Sequence, residues 1–171
     1  MKKKTFKSFF AVVLAVLVFA FSGCSLLNKP KTFKKDEVSI TLTNLFFELE
    51  DMGFDYCIAT YNMVVLFSKY GYSFTSEEKD WTIQQYAQEF IDSNDLNDSV
   101  VKMSDDGYAY VEYSGSYDGE NYLYYATIHK TSTAFWLIQF GCISDEYEKA
   151  YEKIEKYASS ITFTDTPMAN V

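Results

Sequence analysis

Hydrophobic positions along this chain fall into three regimes. The first is an unbroken apolar block, Phe9 to Phe21, behind Lys2, Lys3, Lys4 and Lys7. From Val38 onward the pattern becomes one of alternation. Val38, Ile40 and Leu42 alternate with Ser39, Thr41 and Thr43, which predicts a half-buried strand. The phase slips at Asn44, after which Leu45, Phe47 and Leu49 carry the apolar side, so a bulge or short break is expected there. Asp51-Met52-Gly53 turns the chain, and Phe54, Tyr56 and Ile58 resume the alternation. Met63 to Phe67 is continuously apolar, as in a strand covered on both faces. Residues 70 to 81 read as a polar connection.

The third regime is helical. Ile83, Tyr86, Ala87, Phe90 and Ile91 form one stripe, with Thr82 and Gln85 placed as a capping box and an end near Ser93-Asn94. Alternation then returns. Val100, Val101 and Met103 lead into Asp105-Asp106-Gly107, a hairpin signal because Gly accepts positive φ. Tyr108 to Ser114 form the second arm, a loop spans Gly115 to Gly119, and another strand runs from Asn121 to Lys130. Ala134 to Ile143 is almost wholly apolar and is expected to be a central strand. Ser144 reads as an N-cap, with Asp145 and Glu146 at the positive end of a helix dipole. Tyr147, Ala150, Tyr151, Ile154, Tyr157 and Ala158 make that helix's buried stripe. Lys149 is placed to pair with Asp145, and Lys156 with Glu152. Ser160 to Phe163 close the set as a strand, with a frayed tail from Thr164.

The opening block is 13 residues long. A bilayer core needs about 20 helical residues, so the block is too short for a stable span. A short apolar segment behind lysines and before small residues is an export signal. Its end, Phe21-Ser22-Gly23-Cys24, resembles the bacterial lipobox, with Phe21 where Leu is commonest. That resemblance implies that Cys24 receives diacylglycerol through a thioether and becomes the mature N-terminus. It also implies a lipid-anchored protein on the extracytoplasmic face of the cell membrane. The expected organisation is a signal over residues 1–23, a lipidated tether over 24–36, a domain over 37–165 and a tail over 166–171. Lys29, Lys31, Lys34 and Lys35 in the tether suit either an anionic leaflet or a merely solvated linker.

Composition narrows the partners. There is no arginine, and past Gly23 the chain holds 11 of the 15 lysines and all 24 acids, a net charge of −13. Without forks to grip phosphate, and with this sign of charge, nucleic-acid binding is excluded. Cys57 and Cys142 lie in apolar stretches and are either buried free thiols or a disulfide.

Ala134-Phe135-Trp136-Leu137-Ile138-Gln139-Phe140 running into an amphipathic helix, and then Ala158-Ser159-Ser160-Ile161, resembles the PsbP-like fold over roughly residues 38 to 164. The group includes a photosystem extrinsic subunit, Ran-binding Mog proteins and many bacterial lipoproteins. The resemblance implies an α+β class: a mainly antiparallel β-sheet flanked by helices, an α-β-α sandwich. Photosystem and Ran recognition residues find no match here.

Candidate chemistry is sparse. His129 is the lone histidine and reads as structural or solvated, without a second ligand for zinc. Asp92, Asn94, Asp95, Asn97 and Asp98 form an acidic helix exit lacking the Gly and Glu of a calcium loop. No nucleophile elbow or phosphate-cradling glycine loop is present. No metal, cofactor or enzymatic activity is therefore expected, a surface hydrolase being the weakest reading. One feature exceeds background: Tyr108, Tyr110, Tyr113, Tyr117, Tyr122, Tyr124 and Tyr125 crowd one hairpin. They are either ordinary sheet packing or a recognition surface for a protein, peptide or glycan. The expected roles are a non-catalytic interaction or scaffold domain, or a ligand-binding or accessory lipoprotein of a transporter or envelope complex.

Overall fold

A computed structural model describes residues 28–50, 52–72, 77–117 and 119–164 of the chain, without the side chain of Tyr117. The signal, Cys24, Asp118 and the 166–171 tail lie outside the described residues.

The fold is built around the strand Ala134–Ile143, here β9, whose residues are buried from Ala134 to Cys142. It sits fourth of seven in an antiparallel sheet ordered β3-β4-β5-β9-β8-β7-β6. The other strands are β3 (Phe47–Leu49), β4 (Tyr56–Ala59), β5 (Met63–Gly71), β6 (Lys102–Met103), β7 (Ala109–Tyr117) and β8 (Glu120–Lys130). Its two neighbours, β5 and β8, pair along its length, Met63 opposite Cys142 and Lys130 opposite Phe135. Full pairing satisfies its main-chain groups, which is what allows a strand to be apolar on both faces.

Alternation along the strands divides the core in two. Met63, Val65, Phe67, Tyr125, Trp136, Ile138 and Phe140 face one side. Helix α2 (Ser144–Ala158) covers them with Tyr147, Ala150, Ile154 and Ala158. A second, three-stranded sheet, β1 (Pro30–Lys35), β2 (Val38–Thr43) and β10 (Thr162–Phe163), completes that cover. On the other side Ala109, Val111, Ala126, Ile128, Phe135 and Leu137 pack against Ile83, Ala87 and Ile91 of helix α1 (Ile83–Ser93). The capping box at its start is complete: Gln85 N–H donates to Thr82 Oγ1 at 3.2 Å, and Thr82 N–H donates to Gln85 Oε1 at 2.7 Å. The order helix, sheet, helix is the α+β sandwich expected.

Several local expectations change. Residues 30–35, read as tether, form β1; Pro30 to Lys35 pair with Thr43 to Val38, and Phe33 is buried in the core. One buried ring and a paired neighbour hold a strand whose other residues are polar. The break at Asn44 is real, but it passes the chain from the small sheet to the large one, and the buried residue there is Phe46. The Met63–Phe67 run is buried on one face only, since Val64 and Leu66 remain half-covered. The expected Gly115–Gly119 loop contracts to two residues, because β7 stays paired to Tyr117↔Glu120 and Gly119 takes φ +86°. Finally, α2 follows β9 without a side-chain cap: Ile143, still paired with Tyr122, holds the cap position and Ser144 is already helical. Lys149 pairs with Glu146 at 3.0 Å rather than with Asp145. Thr164, expected to fray, donates its N–H to the carbonyl of Glu37 at 2.8 Å.

Candidate functional site

The tyrosine hairpin is not one surface. Side-chain parity splits it. Tyr108 and Tyr125 are buried in the α2-side core, 6% and 1% exposed, and Tyr110 stacks on Tyr125 at 4.7 Å. Tyr113, Tyr122 and Tyr124 project to the α1 side, where Tyr113 stacks on Tyr124 at 4.9 Å and 10°. Tyr108 therefore drops out of the candidate surface: it packs against the His129 ring at 5.3 Å. Among the described rings no contiguous exposed patch forms, because a period of two sends neighbours in sequence to opposite faces.

His129 is structural. Its Nε2 lies 3.1 Å from Thr127 Oγ1, and its ring packs on Tyr108 and Phe163. Burial lowers its pKa to about 3, so the ring is neutral at physiological pH. Cys57 and Cys142 are free and buried. Their register places Cys57 opposite Leu66 and Cys142 opposite Met63. Those partners face opposite sides of the sheet, so the two thiols cannot meet. Burial pushes both up to about 11, which leaves them protonated and unreactive. The acidic helix exit is used as a cap, with Asn94 Nδ2 donating to the Phe90 carbonyl at 2.8 Å. Among the described residues no group of three or more His, Cys, Asp or Glu is placed to hold a metal.

A concave site does form on the α1 side. Helix α1 lies over β7 and β8 and leaves the β5 half of this face partly open. The result is a cavity of about 380 Å³ walled by Phe54, Tyr70, Tyr86, Phe90, Tyr113 and Gln139. Its walls are set by ring packing: Tyr86 stacks on Phe135 at 4.4 Å, Tyr70 leans on Tyr86 at 5.8 Å, and Phe90 meets Tyr113 edge-on at 5.8 Å. The segment leading into α1 is held by Lys130, whose Nζ donates to the carbonyls of Lys79 and Trp81 at 2.6 and 2.8 Å. Leu96, Tyr113 and Ser114 also line a second cavity of about 480 Å³, so the two form one groove along the exit of α1.

Gln139 is the polar group at the floor. It is 9% exposed, and its carbonyl oxygen accepts from the Tyr113 hydroxyl. That bond fixes the amide and leaves its N–H₂ facing the cavity without a partner among the described residues. Tyr113's pKa is raised by burial first and by Tyr124 second, so its hydroxyl stays a donor. In the second cavity Glu112 accepts from Tyr147 at 2.8 Å and pairs with Lys102 at 2.5 Å. No lysine lines either cavity, whereas Glu89, Asp95, Asp98, Glu112 and Glu148 do. The groove can stack rings, donate one fixed amide and favour neutral or cationic groups over anions.

Of the tyrosines singled out in sequence, Tyr113 and Tyr124 belong to this groove. Tyr70, Tyr86, Phe90 and Gln139 were not anticipated. One signal was available: Gln139 is the only residue in Ala134–Ile143 with a polar side chain. A glutamine in the central strand of a sheet needs a partner or a purpose.

No protein-family model matches the chain, and no curated protein is similar to it in sequence. Among solved structures it is similar to a protein from Bacteroides thetaiotaomicron VPI-5482, with a TM-score of 0.56 and 14% identity over 79% of this chain. It spans 48% of that protein's length. It is also similar to CyanoP, the cyanobacterial PsbP of Synechocystis sp. PCC 6803, with a TM-score of 0.51 and 12% identity, covering 85% of this chain and 98% of CyanoP. At these identities the likeness is one of fold, and the fold is PsbP-like.

Proposed function

We propose that this chain is a lipid-anchored lipoprotein on the extracytoplasmic face of the membrane, and that its domain acts by binding rather than by catalysis. The anchor rests on the basic start, the short apolar block and Phe21-Ser22-Gly23-Cys24. Because β1 begins at Pro30, only five residues separate it from Cys24. A lipid there would hold the small sheet within about 20 Å of the bilayer. Lys31, Lys34 and Lys35 are exposed on that strand, and each would add about 1 kcal/mol of attraction if it met an anionic surface.

The observation that carries the binding role is Gln139, a buried amide whose oxygen is already engaged and whose donor faces an aromatic-walled groove. This favours a ligand-binding lipoprotein over a plain scaffold, since an oriented donor open to the groove among aromatic walls is a ready contact for a ligand's acceptor. Two experiments test the reading. Cys24→Ala should abolish incorporation of labelled palmitate and release the protein from the membrane fraction; retained label refutes the anchor. The full chain and Gln139→Leu are then compared on arrays of soluble glycans and peptides. Every array member bound through the groove should be lost or weakened in the variant. A wild-type profile that survives the substitution unchanged refutes the groove.

A further inference from the structure

The sheet has an unguarded edge. β7 pairs with β8 over its whole length, from Ala109↔Ile128 to Tyr117↔Glu120. On its other side β6 pairs only with Ala109 and Tyr110. Ser104 N–H donates to the Tyr108 carbonyl at 2.9 Å, which sets the phase: Tyr108, Tyr110, Glu112, Ser114 and Ser116 turn their main-chain groups outward. The Glu112 carbonyl is taken by the Ser99 hydroxyl at 2.9 Å. Beyond it, among the described residues, the N–H and C=O of Ser114 and Ser116 have no partner. Natural sheets protect such edges with lysine, proline or a covering loop. The stretch from Tyr113 to Tyr117 reads Tyr-Ser-Gly-Ser-Tyr, with no lysine or proline, and among the described residues no strand pairs with it on that side.

This edge opens onto the larger cavity. Asp95, Asp98, Glu112 and Glu148 border it, with the Tyr113 and Tyr147 rings on the two sides of the strand. Lys102, the nearby cation, is already paired with Glu112. We propose that the outer edge of β7, from Glu112 to Ser116, takes up an extended cationic peptide as an added strand. The main-chain groups supply the ladder. Side chains of the incoming strand alternate between the Tyr113–Tyr124 side and the side of Tyr147 and Glu148, and its lysines or arginines answer the carboxylates. A second copy of this chain is a poor occupant, because edge-to-edge pairing would bring two such acidic sets together. The inference shares with the proposed function the premise of a binding domain, and it does not depend on Gln139 or on the lipid.

The probe is a fluorescein-labelled, blocked heptapeptide of alternating lysine and valine, titrated against the full chain in detergent by anisotropy and by amide hydrogen exchange. Binding should slow exchange at Ser114 and Ser116 about tenfold or more. A glutamate-for-lysine peptide, and one N-methylated at alternate amides, should each bind about tenfold more weakly or worse. Ser116→Pro removes an N–H that points away from β8. It should therefore weaken the peptide to a similar extent while the far-ultraviolet spectrum is unchanged. Asp98→Lys with Glu148→Lys gives an independent arm that leaves the backbone alone. Equal affinity for the lysine and glutamate peptides, or for the N-methylated one, overturns the proposal, as does no binding at about 1 mM peptide. Protection of Ser114 and Ser116 that appears without peptide and grows with protein concentration also overturns it, in favour of a second copy. Since Gln139→Leu tests the groove and Ser116→Pro the edge, failure of one leaves the other standing.

Discussion

The two faces of the seven-stranded sheet are made by the same strands and used differently. On the α2 side Phe67, Ile138 and Phe140 are 0% exposed under a helix and a second sheet. On the α1 side one helix of 11 residues covers β7, β8 and the start of β9. The β5 strand there shows Tyr70 at 48% exposure, and Val64 and Leu66 are half-covered. Sealing a face contributes stability; leaving half of a face uncovered leaves room for a ligand. Alternation lets one strand do both, because each residue commits its side chain to one side only.

The largest difference between the faces should appear on truncation. Phe140→Ala empties a ring-sized volume under α2 and should cost about 3–5 kcal/mol in denaturant unfolding. A loss under about 1 kcal/mol would mean that the face is not sealed as described. Gly141→Ala tests the close packing of the groove side. Its Cβ would stand 2.6 and 2.9 Å from the Tyr124 ring and 3.2 Å from Val64 Cγ1. The expected cost is about 1–3 kcal/mol, partly recovered when Tyr124→Ala is added, and strict additivity of the two would deny the contact.

Acid should act through the sealed face. His129 is held neutral with a pKa lowered to about 3, below the ordinary value of 6.5. The unfolded chain binds a proton on this ring between those values and the folded chain does not, so stability falls as pH drops through that window. His129 as a residue is only half-buried, so the loss by pH 4 should be about 2 kcal/mol. Unfolding curves for His129→Phe should lack this slope; an unchanged slope would assign it to other groups. The smallest effect on stability belongs to the open face. Tyr70→Ala should change it by less than about 0.5 kcal/mol, while weakening any ligand that the proposed groove is found to bind. A large destabilisation would place Tyr70 in the core instead.

Much of the fold was legible along the chain. The central strand announced itself through ten nearly unbroken apolar residues, α1 through its stripe and capping box, and the β6–β7 hairpin through Asp-Asp-Gly. β1 was not legible, because Pro-Lys-Thr-Phe-Lys-Lys carries one apolar side chain and becomes a strand only when β2 offers its edge. The hairpin tyrosines were visible as a cluster in sequence, yet parity scattered them across two environments. The groove was invisible for a different reason. Tyr70, Phe90, Tyr113 and Gln139 come from β5, α1, β7 and β9, and no local pattern links them.

What the sequence by itself determined is local: which segments alternate, which wind, where glycine permits a turn, and that an acidic, arginine-free chain begins with a basic and then greasy stretch ending at Cys24. These follow from the backbone's own periods and from charge, which need no distant partner. Only the tertiary structure decided which face of each strand is covered, that Cys57 and Cys142 stand on opposite sides, and that Gln139 meets Tyr113 across 26 residues. Those outcomes depend on strand order and register, set by the joint burial of residues far apart in the chain.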